Sequence, residues 1–425
     1  MGRQVWRFCL GLSLSVGLFA QTGNPPRSLT WQETEATFRA HNPELLAGEV
    51  TIDESRADEI TAYLRPNPDF TLTADGTQIR PFHGVWQPLA GTFISPNLSY
   101  LHERAHKREL RLLSAQKGTA IAISTQADLE RNLTFNLRDS FVRVLLAKAL
   151  LGVAQANLDY YDKEIAINRD RYNAGGIARV DFQRLELQRV QFESDLQSAL
   201  VNLRTAKIDL LALLRDATPV DEFDVREPFD FSQPVSTLAE LRAIALEARP
   251  DLKEAEQSLD KARTDHQLSI ANGSTDPTFG AWWTHNGSFN NPFANDTLGL
   301  SVSVPLRIFD RNQGDKLHTL LDISRNQKLR DQAEVTALHD VDSAYATLQS
   351  TLALLRPYKA RYLAEAADIR EEVSYAYQHG GASLLDFLDA QKEYRDTQLN
   401  YLNLVGSYLS AANQVNFSVG REVIR

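Results

Sequence analysis

Apolar positions along the chain follow two spacings, and the same succession of spacings occurs twice. In each half, short helical patterns give way to strict alternation of apolar and polar residues, as at Phe70, Leu72 and Ala74. A much longer pattern with apolar residues three, four and seven apart follows each alternating region. The spacing therefore predicts a mainly α protein with a small β part.

The alternating segments predict four β-strands, two in each half. They cover about 69–75 and 94–100 in the first half, and 279–283 and 298–304 in the second. Each strand has one apolar face, although Pro96 is unusual inside a strand because it cannot donate a ladder hydrogen bond.

The longer patterns predict helical hairpins of coiled-coil type. Helices of about 102–172 and 310–378 each end at a pair of glycines, and helices of 180–214 and 383–416 return. At about 1.5 Å per residue, each outgoing helix extends roughly 100 Å.

Fixed offsets between matching residues show that the two halves are tandem repeats. Thr30-x-x-Glu33 recurs as Thr237-x-x-Glu240, and each four-residue motif has the spacing of a capping box. The paired glycines recur at an offset of 205. The predicted division is a first repeat at 21–215, a linker at 216–236 and a second repeat at 237–425.

The N-terminus and the composition indicate an exported protein. Arg3 and Arg7 precede an apolar run that ends near Ala20, which predicts a signal peptide at 1–20. The single cysteine, Cys9, lies in that run, so cysteine-ligated metals and thiol catalysis are not expected in the mature chain. A formal net charge of −10 argues against nucleic acid as a partner. After residue 20, no stretch is expected to cross a bilayer as a helix.

The predicted strands suit a barrel in outer-membrane lipid, yet four strands cannot close one. A sheet edge cannot lie in lipid because its amides and carbonyls would have no partner. Three chains would supply twelve strands. We therefore expect a homotrimer with a shared 12-stranded transmembrane barrel that continues as an α-barrel.

Three segments give the chain a family resemblance that covers nearly all of the mature sequence. They resemble TolC-type outer-membrane efflux proteins, most of all the heavy-metal efflux branch. The segments are Arg171-Tyr172-Asn173-Ala174-Gly175-Gly176-Ile177-Ala178-Arg179-Val180-Asp181, Val304-Pro305-Leu306-Arg307-Ile308-Phe309-Asp310-Arg311-Asn312-Gln313-Gly314, and Tyr377-Gln378-His379-Gly380-Gly381-Ala382-Ser383-Leu384-Leu385-Asp386-Phe387-Leu388-Asp389-Ala390-Gln391.

This resemblance implies a channel-tunnel in the outer membrane that extends into the periplasm. Its implied partners are a periplasmic adaptor protein and an inner-membrane resistance-nodulation-division pump. Substrates, metal cations or drugs, would pass through unmodified, so neither catalysis nor a cofactor is expected. The alternatives are a type I secretion exit duct and, less consistent with the strands, a periplasmic coiled-coil scaffold.

The resemblance also implies an acidic aperture at the periplasmic end. Asp386 and Asp389 match the family's two aspartates there, and Asp181 is the corresponding carboxylate of the first repeat. The family has a latching arginine where this chain has Ala382, so Arg179 is a nearby substitute. Taken from the residues alone, both aspartates are ordinary solvated helix charges, with Asp386 in a first helical turn.

The helix reversals are the expected adaptor-docking tips. Gly175, Gly176, Gly380 and Gly381 are predicted to allow positive φ at these sharp turns. Tyr172 and Tyr377 lie just before them and complete the predicted docking residues.

One motif suggests a different chemistry. The segment from His102 to His106 matches H-E-x-x-H, a zinc-peptidase signature that requires one helix. Here the motif lies where a strand gives way to a helix, and Leu112 occupies the place of a third histidine. A peptidase is therefore not expected.

Overall fold

The structure, a computed structural model, describes residues 27–231, 236–286 and 295–424. The predicted signal peptide and most of the loop between the last two strands lie outside these ranges. Helices dominate the described chain. They are α1 (Trp31–His41), α2 (Pro43–Tyr63), α3 (Lys107–Asn173), α4 (Arg179–Leu214), α5 (Leu238–Ala248), α6 (Pro250–Asn272), α7 (Gln313–Pro357), α8 (Leu363–Gln378) and α9 (Leu384–Val419).

The helix starts confirm both predicted capping boxes. The Thr30 side chain accepts from the Glu33 amide while the Glu33 carboxylate accepts from the Thr30 amide, and Thr237 with Glu240 repeats this arrangement. Each box satisfies two amides that the first turn of a helix leaves without intrahelical partners. In both halves a proline then begins the next helix, because its missing N–H is not needed there.

A two-stranded parallel sheet joins the start of the chain to the linker. Strand β1 (Arg27–Leu29) pairs with β4 (Phe223–Val225), which lies inside the predicted linker. Alternation does not predict either strand, because three residues are too few to show a period.

The four predicted strands form one antiparallel sheet. They are β2 (Asp69–Asp75), β3 (Phe93–Leu101), β5 (Thr278–Asn286) and β6 (Asp296–Ser303), in the order β2-β3-β5-β6. Pro96 lies within β3 opposite Leu72. Strand β3 pairs with β5 on both sides of Ser95 and Pro96 but not at these two residues. The two edges of the sheet are β2 and β6.

The register puts apolar residues in rows across all four strands. One row runs Phe70, Leu98, Ala281 and Leu300. Leu300 is 77% exposed and Phe70 is 69% exposed. An extended apolar face of this kind, open to solvent in a single copy, marks a surface that contacts lipid or another protein.

The long helix of the second half differs from the prediction. The helical segment predicted at about 310–378 forms, but it is not one uninterrupted α-helix, because α7 ends at Pro357 and a π-helical turn, Tyr358–Tyr362, separates it from α8. In the first half, α3 is continuous over 67 residues.

Three apolar clusters hold the helices together. One gathers α5, α7 and α9 around Leu241, Leu348 and Val415, and a second gathers α1, α3, α4 and β4 around Phe38 and Phe141. The third lies at the ends of the hairpins. It contains Leu158, Tyr161, Ile165, Leu185, Phe192, Tyr377 and Phe387.

The apolar character of α3 bears on one expectation. By length and composition α3 could cross a membrane, and 44% of its most apolar stretch is buried inside the structure. The expectation that no helix after residue 20 crosses a bilayer stays a prediction. The contacts of α3 with α4, α6 and α9 are those of a helix packed in a bundle.

Candidate functional site

The two helix reversals predicted as docking tips have the same backbone geometry. The amide of Gly176 donates to the carbonyl of Arg171 at 2.7 Å, and that of Gly175 to Tyr172 at 3.0 Å. The second tip repeats this pattern, with Gly381 donating to Ala376 at 2.7 Å and Gly380 to Tyr377 at 3.2 Å. These paired bonds define a Schellman motif, which satisfies the last carbonyls of a helix.

Only the first glycine of each pair has the left-handed backbone conformation that favours glycine. Gly175 has φ of +76° and Gly380 has φ of +81°, as predicted. The same prediction is wrong for Gly176 and Gly381, which are not among the positive-φ residues. The reason is the motif itself, because only its first residue after the cap is left-handed.

Aromatic pairs fix the returning helix at each tip. The Tyr172 and Phe182 rings stack with centroids 5.4 Å apart, and the Tyr377 and Phe387 rings stack at 4.9 Å. Both pairs join the last turn of an outgoing helix to the first turn of the returning one. Tyr377 is buried, and within the described chain its hydroxyl has no hydrogen-bond partner. Tyr377 therefore supports its turn from inside, whereas Tyr172, which is 36% exposed, stacks at the surface.

The two tips contact one another through polar side chains. Arg171 donates to the carbonyl of Tyr377 at 3.3 Å and lies over its ring at 5.0 Å. Gln378 donates to the Glu164 carboxylate at 3.2 and 3.3 Å. The sequence indicated Arg179 as a substitute latch, but in this structure Arg171 contacts the other hairpin. The sequence does not single out Arg171, because its sequence context resembles that of other arginines near helix ends.

Glu164 is a buried carboxylate at this contact. It is 6% exposed, and Gln378 donates to it. Burial raises the pKa of Glu164, while hydrogen bonds from Gln378 and Tyr160 and the positive charge of Arg370 act in the opposite direction. Arg370 itself stacks between the rings of Tyr160 and Tyr394, at 4.1 and 3.9 Å.

The predicted aperture aspartates lie in the first two turns of the returning helices. Asp386 and Asp389 are exposed on α9, and Asp181 is half-exposed at the corresponding place on α4. Asp386 completes a capping box with Ser383, whose hydroxyl and amide lower the pKa of Asp386. Asp389 lines an open groove of about 610 Å³ between α8 and α9, together with Glu365, Glu393 and Asp396.

The H-E-x-x-H segment has no helical geometry. Residues 102–106 precede α3, and His106 has φ of +56° at the N-cap. Asn312 occupies the same place before α7, with φ of +61°. Glu103 pairs with Arg111. The described residues contain no group of three His, Cys, Asp or Glu side chains placed to hold a metal ion.

Comparison with known proteins tests the predicted family resemblance. The sequence pattern of the family described as "Outer membrane efflux protein" matches residues 241–421. The predicted resemblance to the outer membrane efflux protein family is confirmed.

Two relatives align over most of the chain. It is 22% identical over 394 residues to the cobalt-zinc-cadmium resistance protein CzcC of Cupriavidus metallidurans, covering 92% of this chain and 90% of CzcC. It is also 22% identical over 411 residues to the outer membrane protein TolC of Escherichia coli, covering 89% of this chain and 79% of TolC.

Solved structures share the fold of this chain. The crystal structure of CusC covers 99% of both chains with a TM-score of 0.75 and 17% identity. The outer membrane protein VceC from Vibrio cholerae covers 92% of this chain and 96% of its own, with a TM-score of 0.74 and 16% identity. The mainly helical architecture is that of these channels.

The tip geometry predicts different effects for two adjacent glycines. Gly380→Ala should destabilise the reversal by about 1–2 kcal/mol, because an L side chain is strained at positive φ. A Cβ at Gly380 meets no atom within 4 Å, so the cost is conformational. In limited proteolysis of the purified proteins, the second tip of Gly380→Ala should be cut roughly 5- to 30-fold faster than that of the wild type.

Gly381→Ala is the matched control, since its Cβ would lie 3.6 Å from the Ala376 carbonyl, an ordinary contact. Equal cleavage rates for the two variants would contradict the assignment of the left-handed residue to Gly380.

Burial of Glu164 predicts a pH-dependent tip contact. A raised pKa means that the folded tip binds a proton more tightly than the unfolded chain does. Protonated Glu164 therefore stabilises the folded tip. This contribution is complete below the ordinary glutamate pKa of 4.5 and is lost as the pH rises through the raised pKa. Glu164→Gln, which stays neutral, should therefore strengthen amide protection at the tips at pH 7, with the gain vanishing near pH 4.

Wild type and variant are compared at the same pH by hydrogen exchange. Glu186→Gln, which removes an exposed carboxylate from α4, serves as the control and should change little. If Glu164→Gln increased amide protection equally at pH 4 and pH 7, the raised pKa of the buried Glu164 carboxylate would be contradicted.

Proposed function

We propose that three copies of this chain form one outer membrane channel with a 12-stranded barrel. The observation that carries this proposal is the four-stranded sheet, which has an exposed apolar face and two edges that pair with no other strand of the described chain. In lipid, the edges need strands from other copies. Three copies of four strands give an even number within the range of such barrels.

The helices extend this barrel as an α-barrel into the periplasm. At about 1.5 Å per residue, the 67 residues of α3 span roughly 100 Å, far more than the roughly 30 Å thickness of the bilayer core. Each half repeats the same order of two short helices, a strand pair and a hairpin. The division into repeats at 21–215 and 237–425 with a linker at 216–236 is part of this proposal.

The tips of the tube face a periplasmic adaptor protein, which connects the channel to an inner-membrane resistance-nodulation-division pump. Gly175, Gly176, Gly380 and Gly381 form the reversals, and Tyr172 and Tyr377 support them through the stacks described above. The channel conducts substrate passively and catalyses no reaction.

Acidic rings line the mouth of this channel. In a trimer, Asp386, Asp389 and Asp181 each occur three times. Hydrogen bonds with Ser383 lower the pKa of Asp386, so this carboxylate carries negative charge at neutral pH. A hydrated ring of like charge favours cations.

Metal cations are the substrate class that we favour. The relative CzcC is named for cobalt, zinc and cadmium resistance. Passage does not require a tight metal site, since ions must leave as readily as they enter. Drug export remains the second candidate, because the relatives also include export proteins for other compounds, such as the pyoverdine export protein OpmQ of Pseudomonas aeruginosa.

Conductance in planar bilayers tests the acidic aperture. Asn can still accept from Ser383, so Asp386→Asn keeps the helix cap while removing the charge. The double variant Asp386→Asn with Asp389→Asn should lose cation selectivity, with local cation enrichment roughly tenfold lower, and should lose block by multivalent cations.

The control is Asp53→Asn, an exposed aspartate on α2 that should leave selectivity unchanged. Identical selectivity and identical block in wild type and the double variant would return both aspartates to ordinary solvated charges. Absence of any pore from purified wild-type trimers would contradict the channel itself.

A further inference from the structure

The π-helical turn of the second hairpin is a local weak point in a long helix. It occupies Tyr358–Tyr362, where the amide of Leu363 donates back to the carbonyl of Tyr358. Single π turns inside α-helices often occur at functional sites. The first half has no such interruption in α3, so the turn is specific to the second half.

Pro357 accounts for the position of this turn. It is the last residue of α7, where proline cannot donate to the carbonyl four residues earlier, and its ring crowds that carbonyl. Proline and π turns are two recognised causes of helix bending. The axis of α8 can therefore differ from that of α7, and α8 ends at the second tip.

The end of the linker lies directly on this turn. The Asp230 carboxylate accepts from Lys359 Nζ through both oxygens, at 2.8 and 2.7 Å. The Phe231 ring lies 4.8 Å from the same Nζ and makes an edge contact with Tyr408 of α9 at 5.8 Å. Asp230 and Phe231 thus contact both the π turn and the helix beside it.

The beginning of the same linker is held by the first half. Asp216 accepts from Arg27 at 2.8 Å, and β4 pairs with β1. Lys148 of α3 donates to Asp224 at 2.5 Å, and Lys207 of α4 donates to the carbonyl of Phe223 at 2.7 Å. The linker is therefore attached to the first hairpin at one end and to the π turn of the second at the other.

We propose that the linker acts as a clamp that sets the angle between α7 and α8 by holding the π turn through Asp230 and Phe231. The clamp couples the bend of the second hairpin to the position of the first. Its consequence for conduction rests on the proposed channel function, because bending at the π turn moves the tip that carries Asp386 and Asp389. Its effect on the helix itself does not depend on conduction.

Hydrogen exchange on the purified full-length protein in detergent tests the clamp. Asp230→Asn removes the ion pair, and we expect exchange within residues 355–366 to rise roughly two- to fivefold, as for loss of one half-exposed pair. Phe231→Ala should give a larger rise there. Exchange in 313–350 of α7 should stay at the wild-type level.

Arg361→Gln is the matched control, because Arg361 lies in the same π turn but pairs with Glu365 of its own helix. It should leave exchange in 355–366 near the wild-type value. The charge-swapped protein Asp230→Lys with Lys359→Asp should restore protection. The clamp would be overturned if exchange in 355–366 rose equally in the control. It would also be overturned if exchange there rose in neither Asp230→Asn nor Phe231→Ala.

Single-channel recording then separates the clamp from the channel. With the clamp released, we expect more frequent or larger openings than in wild type. If purified wild type forms no pores while the exchange pattern holds, the channel function fails and the clamp is supported. If wild type forms pores while exchange is unaltered in both linker variants, the clamp fails and the channel function is supported.

Discussion

A sheet in lipid cannot leave the amides and carbonyls of its edge strands without partners, and the structure depends on this constraint. Here β2 and β6 are edges, and the apolar rows between them suit lipid rather than water. In the proposed channel, a single copy therefore supplies part of the barrel wall. Because the strands connect directly to long helices, closure of the sheet between copies would also determine how their hairpins meet.

Within one copy, the hairpins are held at several levels. Apolar clusters fix the helices along their length, and the contacts of Arg171 and Gln378 join the two tips. The linker adds a third connection, between β4 and the π turn. The ion pair between Asp230 and Lys359 is half-exposed, so it contributes less to stability than the apolar clusters do.

Much of this architecture could be predicted from periodicity. The strands, the capping boxes and the left-handed glycines Gly175 and Gly380 follow from local patterns that tertiary structure does not override. The π turn could not be predicted in this way, since Pro357 signals a break but not its form. Strand β1 forms only because β4 lies beside it. The roles of Arg171 and Glu164 depend on contacts with the other hairpin. The spacing of residues along one helix does not predict those contacts.

Disulfide crosslinking between the edge strands tests the central claim most directly. The only native cysteine, Cys9, lies in the predicted signal peptide, so the mature chain offers a cysteine-free background. A panel would combine Thr71→Cys or Thr73→Cys on β2 with Thr297→Cys or Ser301→Cys on β6. Oxidation in outer membranes should convert at least one pair into covalent trimers on denaturing gels. Absence of intermolecular crosslinks in every pair, in protein that fractionates with the outer membrane, would contradict closure of the barrel between chains.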